Sequence, residues 1–192
     1  MTLPKTAATI LFCLTAFSVQ AETLDPGRII SAATGDWDKD GSPDLAMLVE
    51  PAASNNEEDH AVYIFLKGET NRLHVKTVAP NKIWGNLETF GQEPSIAALP
   101  NGSILITSHN DAIGRDRWEQ KLTIAYRNFD FVVAGYTYTS YDTLDPDNSF
   151  DCDLNVLTGK GESNGNPVAT TGEIVLLTDW SDERGQSACG RP

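Results

Sequence analysis

Between Lys121 and Arg127 the chain alternates, with Leu122, Ile124 and Tyr126 on one face. Strand side chains point to opposite faces in turn, whereas a helix needs apolar positions three and four apart. Alternation of this kind, or a short run of β-branched and aromatic residues, recurs along the whole chain, and helical periodicity is scarce. The pattern predicts strands at Arg28–Ala32, Asp44–Glu50, Ala61–Lys67, Leu73–Val78 and Ser95–Leu99. It predicts further strands at Ser103–Ser108, Gln120–Arg127, Phe131–Thr139, Asp153–Leu157 and Glu173–Thr178. Leu99-Pro100-Asn101-Gly102 contains Asn-Gly, the strongest short hairpin signal, and Asn128-Phe129-Asp130 turns one strand into the next. A short helix is expected around Asp111–Glu119, and Ala52–Asp59 reads as a polar, solvated loop. Short strands separated by turn residues, with no linker between them, predict an all-β fold of antiparallel sheets.

The first residues stand outside this pattern. Lys5 precedes an apolar stretch, Ala7–Phe17, and Val19 and Ala21 place small or aliphatic residues where a signal peptidase reads them. A membrane-spanning helix needs about 20 apolar residues, roughly twice this run. Residues 1–21 are therefore predicted to be a secretory signal, and residues 22–192 a single β-rich domain in the secreted or periplasmic space. Cys13 leaves with the signal, and the bulky Phe12 before it argues against a lipoprotein cysteine. Cys152 and Cys189 then remain, and in an oxidising compartment two cysteines predict one disulfide. Closing a loop of that length is worth about 4 kcal/mol in the chain-entropy model.

Charge narrows the function classes. The chain has 192 residues, 40% of them hydrophobic, and a net charge of −13. That is enough apolar content for a core and too much for a disordered tail. Nucleic-acid binding needs Lys and Arg gathered on one face, and an anionic membrane surface repels an acidic protein. Cations and basic partners suit it better. No stable membrane insertion is expected once the signal is removed.

The acidity is concentrated, and one concentration has a register. In Gly35-Asp36-Trp37-Asp38-Lys39-Asp40-Gly41-Ser42-Pro43-Asp44-Leu45, the residues Asp36, Asp38, Asp40 and Asp44 fall at positions 1, 3, 5 and 9 of a loop. Four carboxylates this close repel unless a cation lies among them. Calcium suits an irregular oxygen cage, and magnesium, which demands octahedral geometry, suits it less. Gly41 at position 6 permits the sharp turn, and the Ser42 carbonyl at position 7 would complete the ligand set. The segment is not an EF-hand: Met47 stands at position 12, where a bidentate Glu is required, and a strand rather than a helix follows.

GDWDKDGSPDLAML followed by AVYIFLKG resembles an FG-GAP or VCBS-type repeat, the calcium-loop blade of integrin-like β-propellers. The resemblance spans about residues 32–68. It implies a structural calcium ion on Asp36, Asp38, Asp40, Ser42 and Asp44, on a scaffold of the kind used for adhesion and ligand binding. A propeller repeats its blade four to eight times, and no second DxDxDG occurs. The expectation is a blade-like sheet or a sandwich, too short for a full closed propeller.

Other constellations are weaker. Asp142, Asp145, Asp147, Asp151 and Asp153 form a second acidic segment that lacks this register and a turn glycine, and reads as a solvated loop. Asp145 and Asp151 could serve a glycosidase only if folding set them face to face. His109 and Asp111 lie two apart with no nucleophile elbow to serve, and Thr158–Gly165 lacks the spacing of a phosphate loop and reads as a glycine-rich connection between strands. Asn101-Gly102-Ser103 is a glycosylation sequon, informative only in a eukaryotic secretory route. Trp84, Trp118, Tyr126, Tyr136, Tyr138 and Tyr141 could form a sugar platform, but aromatics at this spacing usually pair inside a core. The expected function is that of an exported, calcium-binding, non-enzymatic β-protein acting as a binding or interaction module for a protein or glycan. The alternative is an exported hydrolase of a cell-envelope polymer or polysaccharide.

Overall fold

The structure is a computed structural model that describes residues 24–52 and 59–191. The predicted signal at 1–21 and the centre of the predicted polar loop lie outside the described residues. The chain is all-β. Its first sheet contains β1 (Ile29–Gly35), β2 (Asp44–Val49), β3 (His60–Lys67) and β4 (Leu73–Ile83), in that order. Its second contains β5 (Ser95–Ala98), β6 (Ile104–Asn110), β7 (Asp116–Arg127), β8 (Asp130–Asp142), β9 (Asp145–Asn155), β10 (Lys160–Ser163) and β11 (Asn166–Ala169). These too are ordered sequentially, from β11 at one edge to β5 at the other, and every pairing is antiparallel. One four-stranded and one seven-stranded meander, not closed into a barrel, make a sandwich rather than a ring of blades.

Alternation explains the layering. In β3, His60, Val62, Ile64 and Leu66 are buried while the residues between them are only partly so. Ala46, Leu48, Val62 and Ile64 of the first sheet share one apolar cluster with Ile104, Ile106, Leu122, Ile124 and Leu154 of the second. Side chains tie the first sheet to the second and to the segment that follows it. Ser31 Oγ accepts the Ile96 N–H at 3.1 Å, and Lys82 Nζ donates to the Trp180 carbonyl at 2.7 Å.

Three expectations need correction. The segment predicted as a helix, Asp111–Glu119, is a turn followed by the start of β7, because residues 116–119 pair with β6 and β8 and lead into the buried Gln120 and Leu122. The segment predicted as a strand, Glu173–Thr178, makes only an isolated bridge from Leu176 to Val132 before a 3-10 turn at Leu177–Asp179. The glycine-rich stretch at Thr158–Gly165 contains β10, paired with β9 and β11. A helix, α1 (Asp182–Ala188), ends the chain and is fastened by the predicted disulfide, Cys152–Cys189, with Cα atoms 6.0 Å apart.

Candidate metal centre

The register Gly35↔Asp44 closes the β1–β2 hairpin, so the chain from Asp36 to Pro43 is its turn. The turn is wound by its own aspartates. Asp36 Oδ2 accepts the Gly41 N–H at 3.1 Å, Asp38 Oδ1 that of Asp40 at 3.2 Å, and Asp40 Oδ1 that of Ser42 at 2.7 Å. Lys39 and Gly41 take positive φ, 65° and 88°, and only at Gly41 is that conformation free of steric cost. The outcome is that one oxygen from each of Asp36, Asp38 and Asp40 lies within 4.8 Å of the others. No lysine, arginine or histidine nitrogen reaches within 4.0 Å of these carboxylates among the described residues. Three hard oxygen donors without a balancing charge form a set that a divalent cation would complete.

The remaining two predicted ligands are placed differently. Asp44 is 1% exposed and outside the three-carboxylate group. Its Oδ2 accepts the Trp37 N–H and its Oδ1 the Lys67 N–H, each at 2.8 Å. It therefore fastens the turn to the end of β3. Burial pushes the Asp44 carboxyl above its ordinary value, the Lys67 and Trp37 N–H groups pull it back, and the charges of Asp38 and Asp40 push it up again. Ser42 enters the turn through its N–H on Asp40.

Two supports of this turn were not legible in the motif. Trp37 is buried, and its ring lies over Gly35 so closely that a Cβ there would come within 2.2 Å of it. The glycine preceding the first aspartate is thus required by the tryptophan following it. The second support is the β5–β6 turn, where Gly102 lies beside Lys39 and the Asp36 carbonyl. Asn101, the first residue of the sequon, uses its side chain to accept the Ser103 N–H in that turn.

The weaker constellations do not assemble into a site. Asp142 is buried and paired with Arg115 at 2.5 Å. Asp151 and Asp153 lie exposed along β9, across from Thr139 and Thr137. Asp145 and Asp151 are on that same strand, opposite Asp142 and Thr139 of β8, and both are exposed, whereas a glycosidase sets its two carboxyls on either side of the scissile bond. His109 Nε2 is 3.8 Å from Asp111 Oδ2. Trp84, Trp118, Tyr138 and Phe150 contact one another in a row, stacked at Trp118–Tyr138 and tilted at the other two contacts, and the Arg191 guanidinium lies 4.5 Å over the Tyr138 ring, so most of the aromatic set is packing. His60 lines a cavity of about 780 Å³ with Arg28, Glu50 and Glu88. Burial pushes its imidazole below its ordinary value, against the charges of Glu50 and Asp59.

Among the described residues no helix is long and apolar enough to cross a membrane. No family model, no curated protein and no solved structure matches this chain.

Proposed function

We propose that the chain is an exported, calcium-stabilised β-protein that serves as a binding or interaction module. The observation that carries this reading is the gathering of Asp36, Asp38 and Asp40 within 4.8 Å, in a braced turn that no cationic nitrogen among the described residues reaches within 4.0 Å. The likeness of residues 32–68 to an FG-GAP or VCBS-type repeat favours calcium over other hard cations. The disulfide and the signal-like leader favour an exported location. The hydrolase alternative draws no support from Asp145 and Asp151, which lie exposed on a single strand.

Calcium would act by removing carboxylate repulsion from a hairpin turn, so its effect should register as stability. Calcium at a hundredfold above its dissociation constant adds about 2.7 kcal/mol. The melting temperature should fall on chelation and recover with calcium, but not with magnesium at equal concentration. Asp38→Ala should abolish the response. A melting temperature indifferent to a saturating chelator would sink the assignment.

A further inference from the structure

The end of the sandwich opposite the aspartate turn carries a second, unassigned surface. Three loops meet there and are hydrogen-bonded in a row. The Asp111 N–H donates to the Gly91 carbonyl at 2.8 Å, and Gln92 Nε2 donates to Asn110 Oδ1 at 3.1 Å. The Thr143 N–H donates to the Arg115 carbonyl at 2.9 Å, beside the Arg115–Asp142 ion pair. From this braced platform the largest side chains point into solvent. Phe90 is 85% exposed, Leu144 77% and Ile113 55%, with Tyr141 and Leu87 exposed beside them. Singly exposed apolar residues are ordinary, but several large ones held together on hydrogen-bonded loops mark an interaction surface.

The charge around the patch selects the partner. Glu88 and Asp111 on these loops, and Asp116, Asp145 and Asp147 at the adjoining strand ends, are exposed. The two local arginines are turned back onto the platform: Arg115 pairs with Asp142, and Arg117 donates to the Ile113 and Gly114 carbonyls. An apolar centre with an acidic rim is complementary to an apolar segment carrying lysine or arginine, and it repels anionic lipid and a second copy of this acidic chain. We infer that this loop end docks a cationic amphipathic segment of a partner protein, with Phe90, Ile113 and Leu144 as the apolar anchors. The inference rests on reading the chain as an interaction module, and it names that module's surface and the chemistry of its partner.

The test uses the full mature protein and two fluorescent peptides, one of alternating leucine and lysine and one with serine in place of leucine. Anisotropy at physiological salt should show saturable binding of the leucine peptide and little of the serine peptide. Phe90→Ser with Leu144→Ser should weaken binding about tenfold or more. Asp151→Asn with Asp153→Asn, which removes two charges away from this surface, should leave it unchanged. Both apolar positions are exposed, so unchanged melting temperatures would confirm that the variants fold. Equal binding of the two peptides, or an unaltered affinity in Phe90→Ser with Leu144→Ser, would overturn the proposal. So would capture of the protein by phosphatidylcholine vesicles, or a concentration-dependent dimer lost in the same double variant. A calcium response without peptide binding would sink this surface alone, and peptide binding without a calcium response would sink the calcium scaffold alone.

Discussion

Asp36–Asp44 and Asp142–Asp153 are both aspartate-rich, yet they fold to opposite ends. In the first, alternate aspartates accept N–H groups two to five residues along, and the chain curls until three carboxylates converge. In the second, expected as a solvated loop, the chain ends β8, makes a two-residue turn at 143–144 and returns as β9, so its aspartates are distributed over two paired strands. The difference is backbone, not charge count. Gly41, with φ of 88°, lets the first segment turn, and the second has no residue in that conformation. A register of acids concentrates charge only where the backbone can coil beneath it.

The contrast can be broken from both sides. The second segment is held by the Cys152–Cys189 bond, which ties β9 to the end of α1. Cys152→Ala with Cys189→Ala should cost about 4 kcal/mol in urea unfolding and leave the calcium response of the melting temperature in place. Next in size, Asp44→Ala should cost about 3 kcal/mol, because it leaves the Trp37 and Lys67 N–H groups without their acceptor. Asp151→Ala, on the exposed strand, should change stability by less than about 0.5 kcal/mol. Equal costs for these two aspartates would erase the distinction drawn between the segments. A smaller effect sharpens it further. Gly41 and Gly165 both have positive φ and open space where a Cβ would go. Alanine at either should cost about 1–2 kcal/mol, but only Gly41→Ala should weaken calcium binding in a calorimetric titration.

Much of the sandwich was legible because alternation is a local signal. Ala61–Lys67 and Gln120–Arg127 were readable as strands, since burial follows every second residue throughout the first and as far as Ile124 in the second. The disulfide followed from compartment and cysteine count. The misreadings have a common cause. Asp111–Glu119 has no strong period, and its conformation is decided by pairing of β7 with β6 and β8. Glu173–Thr178 alternates as a strand should, but Val133 uses only its N–H on the Val175 carbonyl, and no ladder develops. The aspartate turn was readable in register, whereas the burial of Asp44 was not. Its two oxygens are claimed by Trp37 and by Lys67, and nothing local announces the second of these.

The smallest effect concerns protons in the second segment. The Arg115 guanidinium, through its hydrogen bond, is the main cause that holds the Asp142 carboxyl below its ordinary value of 3.8, and the Leu144 N–H adds to it. Between that depressed value and 3.8 the unfolded chain binds the proton more readily than the folded one. Stability therefore rises with pH across this window. The contribution is complete above the unfolded value and is lost as pH falls through the folded one. Arg115→Gln should flatten this part of the acid-unfolding profile while leaving the profile near neutrality displaced but parallel. It should also loosen the Thr143–Arg115 backbone contact that supports Leu144, detectable as faster amide exchange at Thr143. An acid profile identical in the wild type and Arg115→Gln would show that the pair belongs to the surface, and that the second segment is held by its strand pairing and disulfide alone.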